Sequence, residues 1–284
     1  MKNKATGKES VIKVAEGKLK GKEFKTVDGT KYTKYSGIPY AEPPIGNLRF
    51  KRPRRKESWP GVWEGKDGVK CLQASEFLVE GDEDCLYLNV WVPKTKTKEA
   101  LPVMVWLHGG FFLFGAGDAQ FQSFGKLLQQ NVIVVSINYR LGVLGFFSMG
   151  NYQFSGNLGI RDQRLALQWI KKNIINFGGD PQRVTLFGQG SGAVSTHLHL
   201  ISAGSRGLFS AAILQSGSLL TKPNYDDTTL DVINSSNRLA DLFDCGMDVE
   251  GCLQSLPADI LMQMSVSRYQ FLFHLINCSA AAIF

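Results

Sequence analysis

No apolar run in this chain is long enough to cross a bilayer, so a helical membrane span is excluded. The most apolar segment, residues 271–284, is too short and is interrupted by His274 and Asn277. No repeat and no low-complexity linker is present, so the chain reads as one domain rather than an array. The opening Met1-Lys-Asn-Lys-Ala-Thr-Gly-Lys-Glu-Ser10 lacks an apolar h-region, so no signal peptide is visible. Histidine is scarce, with only His108, His197, His199 and His274 to weigh as catalytic bases. No nucleic-acid-binding motif accompanies the basic run Lys51-Arg-Pro-Arg-Arg-Lys56, which reads as a solvated loop.

What is present suits a globular core. The 284 residues are 44% apolar, enough for a large single core. The net charge of +7 is uneven, with 16 Lys and Arg against 6 acids in residues 1–60. Val11 to about Thr33 alternates apolar and polar residues around Gly17, Gly21 and Gly29, the pattern of antiparallel hairpins. Leu86–Val92, Val103–Leu107 and Val132–Ile137 are apolar enough for central strands. Helical periodicity predicts helices over Leu165–Ile175, Leu230–Phe243 and Asp259–Met264, with Phe209–Gln215 a further strand. This alternation predicts an α/β fold.

The chemistry centres on Val184-Thr-Leu-Phe-Gly-Gln-Gly-Ser-Gly-Ala193. A strand, Val184–Phe187, runs into a glycine turn and then a helix, predicted over Val194–Ile201. That is the setting of the G-x-S-x-G nucleophile elbow, which lifts a serine above a sheet. The flanking glycines are Gly188 and Gly192, and the residue between them is Gly190. The attacking hydroxyl is therefore absent at its position. Shifting the frame by one makes Ser191 the nucleophile, but then Gln189 and Ala193 occupy the crowded flanks. In the favoured frame Ser191 follows the nucleophile position and contributes a backbone N–H.

Upstream, the strand-like Pro102-Val-Met-Val-Trp-Leu107 leads into His108-Gly109-Gly110-Phe111. Glycines after such a strand let backbone N–H groups point at a developing oxyanion. Gly109, Gly110, Phe111 and Ser191 are thus the candidate oxyanion-hole residues. Phe111 stands where a third glycine is usual, so its ring is expected near the site.

Several blocks in order resemble the type B carboxylesterase and cholinesterase-like family of the α/β-hydrolase fold. They include Tyr35-Ser-Gly-Ile-Pro-Tyr-Ala-Glu-Pro-Pro-Ile-Gly-Asn-Leu-Arg-Phe50 and Glu83-Asp-Cys-Leu-Tyr-Leu-Asn-Val-Trp91. Ser136-Ile-Asn-Tyr-Arg-Leu-Gly-Val-Leu-Gly-Phe-Phe147, Arg161-Asp-Gln-Arg-Leu-Ala-Leu-Gln-Trp169, Asn176-Phe-Gly-Gly-Asp-Pro181 and Ile213-Leu-Gln-Ser-Gly-Ser218 follow. The resemblance implies a mostly parallel central sheet flanked by helices, with N-terminal antiparallel hairpins. It makes residues 1–270 the N-terminal part of a single domain, incomplete at its C-terminus, and residues 271–284 a tail without resemblance. Ala211–Gln215 is then expected at or near an open, apolar edge.

Family members hydrolyse esters with a Ser, Glu or Asp, and His triad. The acid and the histidine lie in a later part of such chains, so neither is carried over here. His108 falls in the oxyanion loop, and His197 and His199 fall on the helix after the elbow. No catalytic residue is therefore expected, and the resemblance implies an inactive family member. Two alternatives stay open: an active esterase using Ser191 or a partner chain, and a truncated product without function of its own. No cofactor or metal is implied. A hydrophobic ester, another small ligand or a protein partner suits the family, and nucleic acid does not. The resemblance also pairs Cys71 with Cys85, a loop closure worth about 3 kcal/mol, and Cys245 with Cys252. Those pairs and the sequons at Asn234 and Asn277 suit an oxidising compartment. The unmarked N-terminus suits the cytosol, so both placements stay open.

Overall fold

The computed structural model describes residues 4–74, 78–118, 124–220 and 229–267. The chain begins with an antiparallel meander, β1 (Lys4–Lys13), β2 (Lys18–Lys25) and β3 (Lys31–Pro39). Short strands β4 (Val62–Trp63), β5 (Gln73–Ala74) and β6 (Val79–Glu80) lead to β7 (Tyr87–Pro93) and β8 (Leu101–Leu107). Then come α1 (Gly125–Gln129), β9 (Ile133–Ile137), α2 (Gly142–Phe146) and α3 (Leu158–Asn173). The elbow segment is β10 (Gly179–Gln189) and α4 (Ser191–Ile201), followed by β11 (Ala211–Gln215). Helices α5 (Thr229–Leu242), α6 (Val249–Ser255) and α7 (Ala258–Ser267) close the described chain.

The main sheet runs β1-β2-β3-β7-β9-β8-β10-β11, with β4 beside β2. The pairings β9–β8, β8–β10 and β10–β11 are parallel, those along the path from β1 to β9 are antiparallel, and β4 pairs in parallel with β2. This is a mixed sheet with parallel central strands flanked by helices, an α/β-hydrolase architecture. The central strands are apolar on both faces because both faces are covered. Val103, Val105, Leu107, Val135 and Leu186 join one core with Leu167, Ile170 and Leu198 of α3 and α4. The alternate residues Trp106, Val134 and Phe187 join another with Leu128 of α1 and Phe124 just before it. A third cluster packs Phe50, Leu72 and Phe147 against Leu239, Leu253 and Leu261 of the last helices.

Polar groups bind the layers together. Arg140 donates through Nε and Nη2 to the two oxygens of Asp162 at 2.8 and 2.7 Å, fixing the loop after β9 to α3. Arg49 grips Glu83 through two bonds of 2.7 Å and also donates to the Leu253 and Leu256 carbonyls near α6. Cys71–Cys85 and Cys245–Cys252 are both disulfides.

Element boundaries differ from the sequence-based ones for local reasons. Helix α3 begins seven residues before Leu165, since Asp162 and Gln163 are buried and bonded rather than solvated. It gives way to a 3-10 turn at Ile174–Phe177, which Gly178 ends in the left-handed region. Helix α4 begins at Ser191, inside the elbow itself, rather than at Val194. Helix α6 carries too little periodicity in its seven residues to be read, although Asp248 caps it by accepting from the Gly251 N–H at 3.0 Å. Asn234 is exposed on α5, whereas Asn277, His274 and the tail 271–284 lie outside the described residues.

Candidate active site

The elbow is built by three glycines with different reasons to be glycine. A Cβ on Gly188 would stand 2.4 Å from the Gly192 carbonyl, and one on Gly192 would stand 2.1 Å from the Leu107 oxygen. Neither position has room for any side chain. Gly190, between them, adopts φ 56° and ψ −121°, a conformation costly for residues with a Cβ. A Cβ on Gly190 would nevertheless meet nothing within 4 Å. The crowding at Gly188 and Gly192 supports the frame in which Gly190 is the apex. The apex N–H donates to the Gln215 carbonyl at 3.0 Å, and its own carbonyl accepts from Val194.

Ser191 is buried, and its Oγ accepts from the Phe112 N–H at 3.3 Å. The hydroxyl therefore braces the facing loop instead of pointing into solvent beside the apex.

That loop follows β8. A Cβ on Gly109 would lie 2.4 Å from the Gln189 oxygen, so elbow and loop touch backbone to backbone. Gly110 has φ 115°, and its carbonyl accepts from the Leu113 and Phe114 N–H groups. Phe111 and Phe112 both hold positive φ, 56° and 61°, which is rare for aromatic residues. Phe112 is buried against Phe146, with ring centroids 5.0 Å apart. Phe111 turns outward and is 57% exposed, beside Phe114. The ring expected near the site thus turns toward solvent.

His108 anchors the loop. Its ring stacks on Tyr139 at 4.3 Å, and the Tyr139 hydroxyl donates to the His108 carbonyl at 2.7 Å. Burial pushes the His108 pKa down to about 4. His199 is also buried, and burial together with the Arg164 charge pushes its pKa down to about 3. Its ring nitrogens face Ser205 Oγ and Gln163 Oε1. His197 faces the Ser218 hydroxyl at 3.2 Å. None of these three rings bonds Ser191.

Tyr139 and Arg140 were legible only as part of a family block. The place of Tyr139 against His108 depends on the β9–β8 pairing, which brings residues thirty apart together. Among the described residues no cluster of three or more His, Cys, Asp or Glu could hold a metal. No described helix is long and apolar enough to cross a membrane.

Sheet, elbow and glycine loop define a protein of the α/β-hydrolase class. The sequence model of the carboxylesterase family matches residues 8–279, and the chain belongs to that family. It is 49% identical over 194 residues to the juvenile hormone esterase of Tribolium castaneum, covering 66% of this chain and 33% of that protein. It is 42% identical over 260 residues to esterase E4 of Myzus persicae, covering 87% of this chain and 46% of that protein. Esterase FE4 of the same aphid is likewise 42% identical over 260 residues, or 45% of its length. The chain therefore spans a third to just under half of these relatives.

Proposed function

We propose that this chain is a carboxylesterase-fold protein that holds an ester-like or other small apolar ligand without hydrolysing it. Gly190 at the elbow apex carries the reading. Losing a serine nucleophile costs on the order of a millionfold in turnover, leaving roughly 10³–10⁴ over water from binding and the oxyanion hole. Glycine offers no atom to attack with. The Gly109-Gly110-Phe111 loop and the Ser191 N–H keep the oxyanion-hole role, and exposed Phe111 and Phe114 offer apolar contact at the mouth. The names of the relatives, juvenile hormone esterase and two esterases, point to carboxylic esters as the ligand class.

An active site using Ser191 is disfavoured because its Oγ is held by Phe112 and no described histidine bonds it. A serine without such a base is a weak nucleophile. The test is a chromogenic short-chain ester with a fluorophosphonate probe. No product burst and no labelling are expected; stoichiometric label on Ser191 overturns the reading. Gly190→Ser alone is expected to gain no esterase activity, because burial lowers the His108 pKa to about 4, which leaves it a weak base, and its ring is occupied in the loop. A large gain would identify a base within this chain.

A further inference from the structure

Much of the uneven basic charge of this chain gathers at one end of the sheet. Strands β1 to β3 and the turns between them, residues 4–39, carry nine lysines against four acids, and no arginine. Lys25 at the end of β2 lies directly opposite Lys31 at the start of β3. Lys94, just past β7, donates its N–H to the Lys31 carbonyl at 2.9 Å, so a third lysine joins the row on the next strand. Lys96 and Lys98 follow in the loop to β8. Threonines hold that loop, with the Thr97 N–H donating to Thr95 Oγ1 at 3.2 Å and the Glu99 N–H to Thr97 Oγ1 at 3.1 Å. From the other side, Gln129 of α1 donates to Asp28 in the β2–β3 turn, which brings Lys126 within electrostatic reach of that turn. All six lysine side chains are exposed.

Three acids share this end. Glu23 accepts from Thr6 Oγ1 at 3.0 Å and lies 3.9 Å from Lys94. Asp28 accepts from Thr26, Thr30 and Gln129, and Glu99 closes the lysine loop. Positive charge therefore prevails, and of the six lysines only Lys94 forms an ion pair among the described residues.

The fold carries a cost here, because like charges directly opposite on neighbouring strands destabilise a sheet. Lysines on an edge strand guard against wrong pairing. That reason serves β1, the edge, but not β2, β3 and β7, which have a strand on either side. Lysine is a compact, hydrated point charge, whereas the planar fork of arginine suits one fixed bidentate acceptor. An all-lysine patch thus fits a fluid array of anionic headgroups. Val27, 68% exposed at the tip of the β2–β3 turn between Lys25 and Lys31, gives the patch an apolar point. Basic side chains around an exposed apolar one suit the interface of an anionic bilayer, where both find partners.

We propose that this lysine-rich end of the sheet docks on a membrane surface of anionic phospholipid. Strand β8 runs from Leu101, after the lysine loop, to Leu107 at the elbow, seven residues and on the order of 20 Å. The docked chain therefore holds its elbow away from the lipid.

Cosedimentation of the full chain with phosphatidylcholine vesicles, with and without phosphatidylserine, tests this. Binding is expected only with phosphatidylserine. It is expected to fade with salt, as the screening length falls from about 10 Å at 0.1 M to about 3 Å at 1 M. Each lysine removed is expected to weaken partitioning about fivefold, and Lys94→Gln, Lys96→Gln and Lys98→Gln together about a hundredfold. Lys25→Gln is expected to weaken binding and to raise the urea midpoint, since it relieves the opposed charges. Arg54 is exposed beyond the far end of β3, where its carbonyl accepts from Glu42. Arg54→Gln makes the same charge change more than a screening length away and is expected to shift binding by less than about twofold. No phosphatidylserine-dependent sedimentation at low salt overturns the proposal. Binding that the triple lysine variant keeps in full, with native circular dichroism, also overturns it. So does retention on heparin without vesicle binding, which assigns the patch to a sulfated polysaccharide.

Discussion

Strands β10 and β11 lie side by side, parallel and in register from Thr185 opposite Ala211 to Gln189 opposite Gln215. One is core and the other is rim. Val184 and Leu186 of β10 are fully buried, whereas Ile213 and Leu214 of β11 are 43% and 36% exposed. Strand β11 is the last of the main sheet among the described residues. The elbow hangs between the two. Leu107 presses on Gly188 and Gly192 from the buried side, while Gly217 packs against the Gly190 carbonyl from the rim side. The turn keeps its shape because the buried side dictates it.

The largest expected effect falls on the buried strand. Leu186→Ala removes a fully buried side chain from the parallel core and is expected to cost about 2–5 kcal/mol. Urea denaturation measures it. A loss below about 1 kcal/mol would mean that β10 is no more constrained than its neighbour.

Acid acts on the same buried side. His108 and His199 are held neutral in the fold, with pKa values near 4 and 3, while the unfolded chain takes up protons near pH 6.5. The unfolded state then binds more protons, so stability is full above about pH 6.5 and falls as pH drops toward 4. At about 1.4 kcal/mol per pKa unit, His108 alone contributes up to about 3 kcal/mol. Denaturation midpoints from pH 7.5 to 4.5 check this. His108→Gln is expected to flatten the slope, and an unchanged slope would remove His108 from the account.

The glycines divide next. Gly192→Ala drives a Cβ into the Leu107 carbonyl and is expected to cost about 1–3 kcal/mol or more. Gly190→Ala meets open space and is opposed only by its positive φ, on the order of 1–2 kcal/mol. Thermal melts of both variants rank them. The reverse order would reject the frame that puts Gly190 at the apex.

The smallest effect belongs to the rim. Ile213→Thr is expected to change stability by no more than about 0.5 kcal/mol and to lower the tendency of an apolar edge to associate. Light scattering against concentration reads the second part. A loss comparable with that at Leu186 would show that β11 is covered.

Much of this was legible in the residues. Apolar runs such as Ile133–Ile137 announce strands buried on both faces, because only a covered sheet tolerates them. The place of Ala211–Gln215 as the last strand of the main sheet among the described residues agrees with family order. The elbow glycines stood out because a turn that tight admits little else. The seven-residue α6 gave no readable period, and the true start of α3 was hidden by polar residues that the fold buries.

Sequence alone determined the family, the order of the elements and the presence of a glycine at position 190 between Gly188 and Gly192, since these are matters of residue identity and local periodicity. What the Ser191 hydroxyl meets, where the Phe111 ring goes and why His108 stays neutral were decided only in three dimensions. Ser191 Oγ meets Phe112, Phe111 turns to solvent and His108 stacks on Tyr139 because β8, β9 and β10 pair across long stretches of chain. Such contacts carry no local signal, because the partners share no turn and no strand, and only the packed sheet sets their distance.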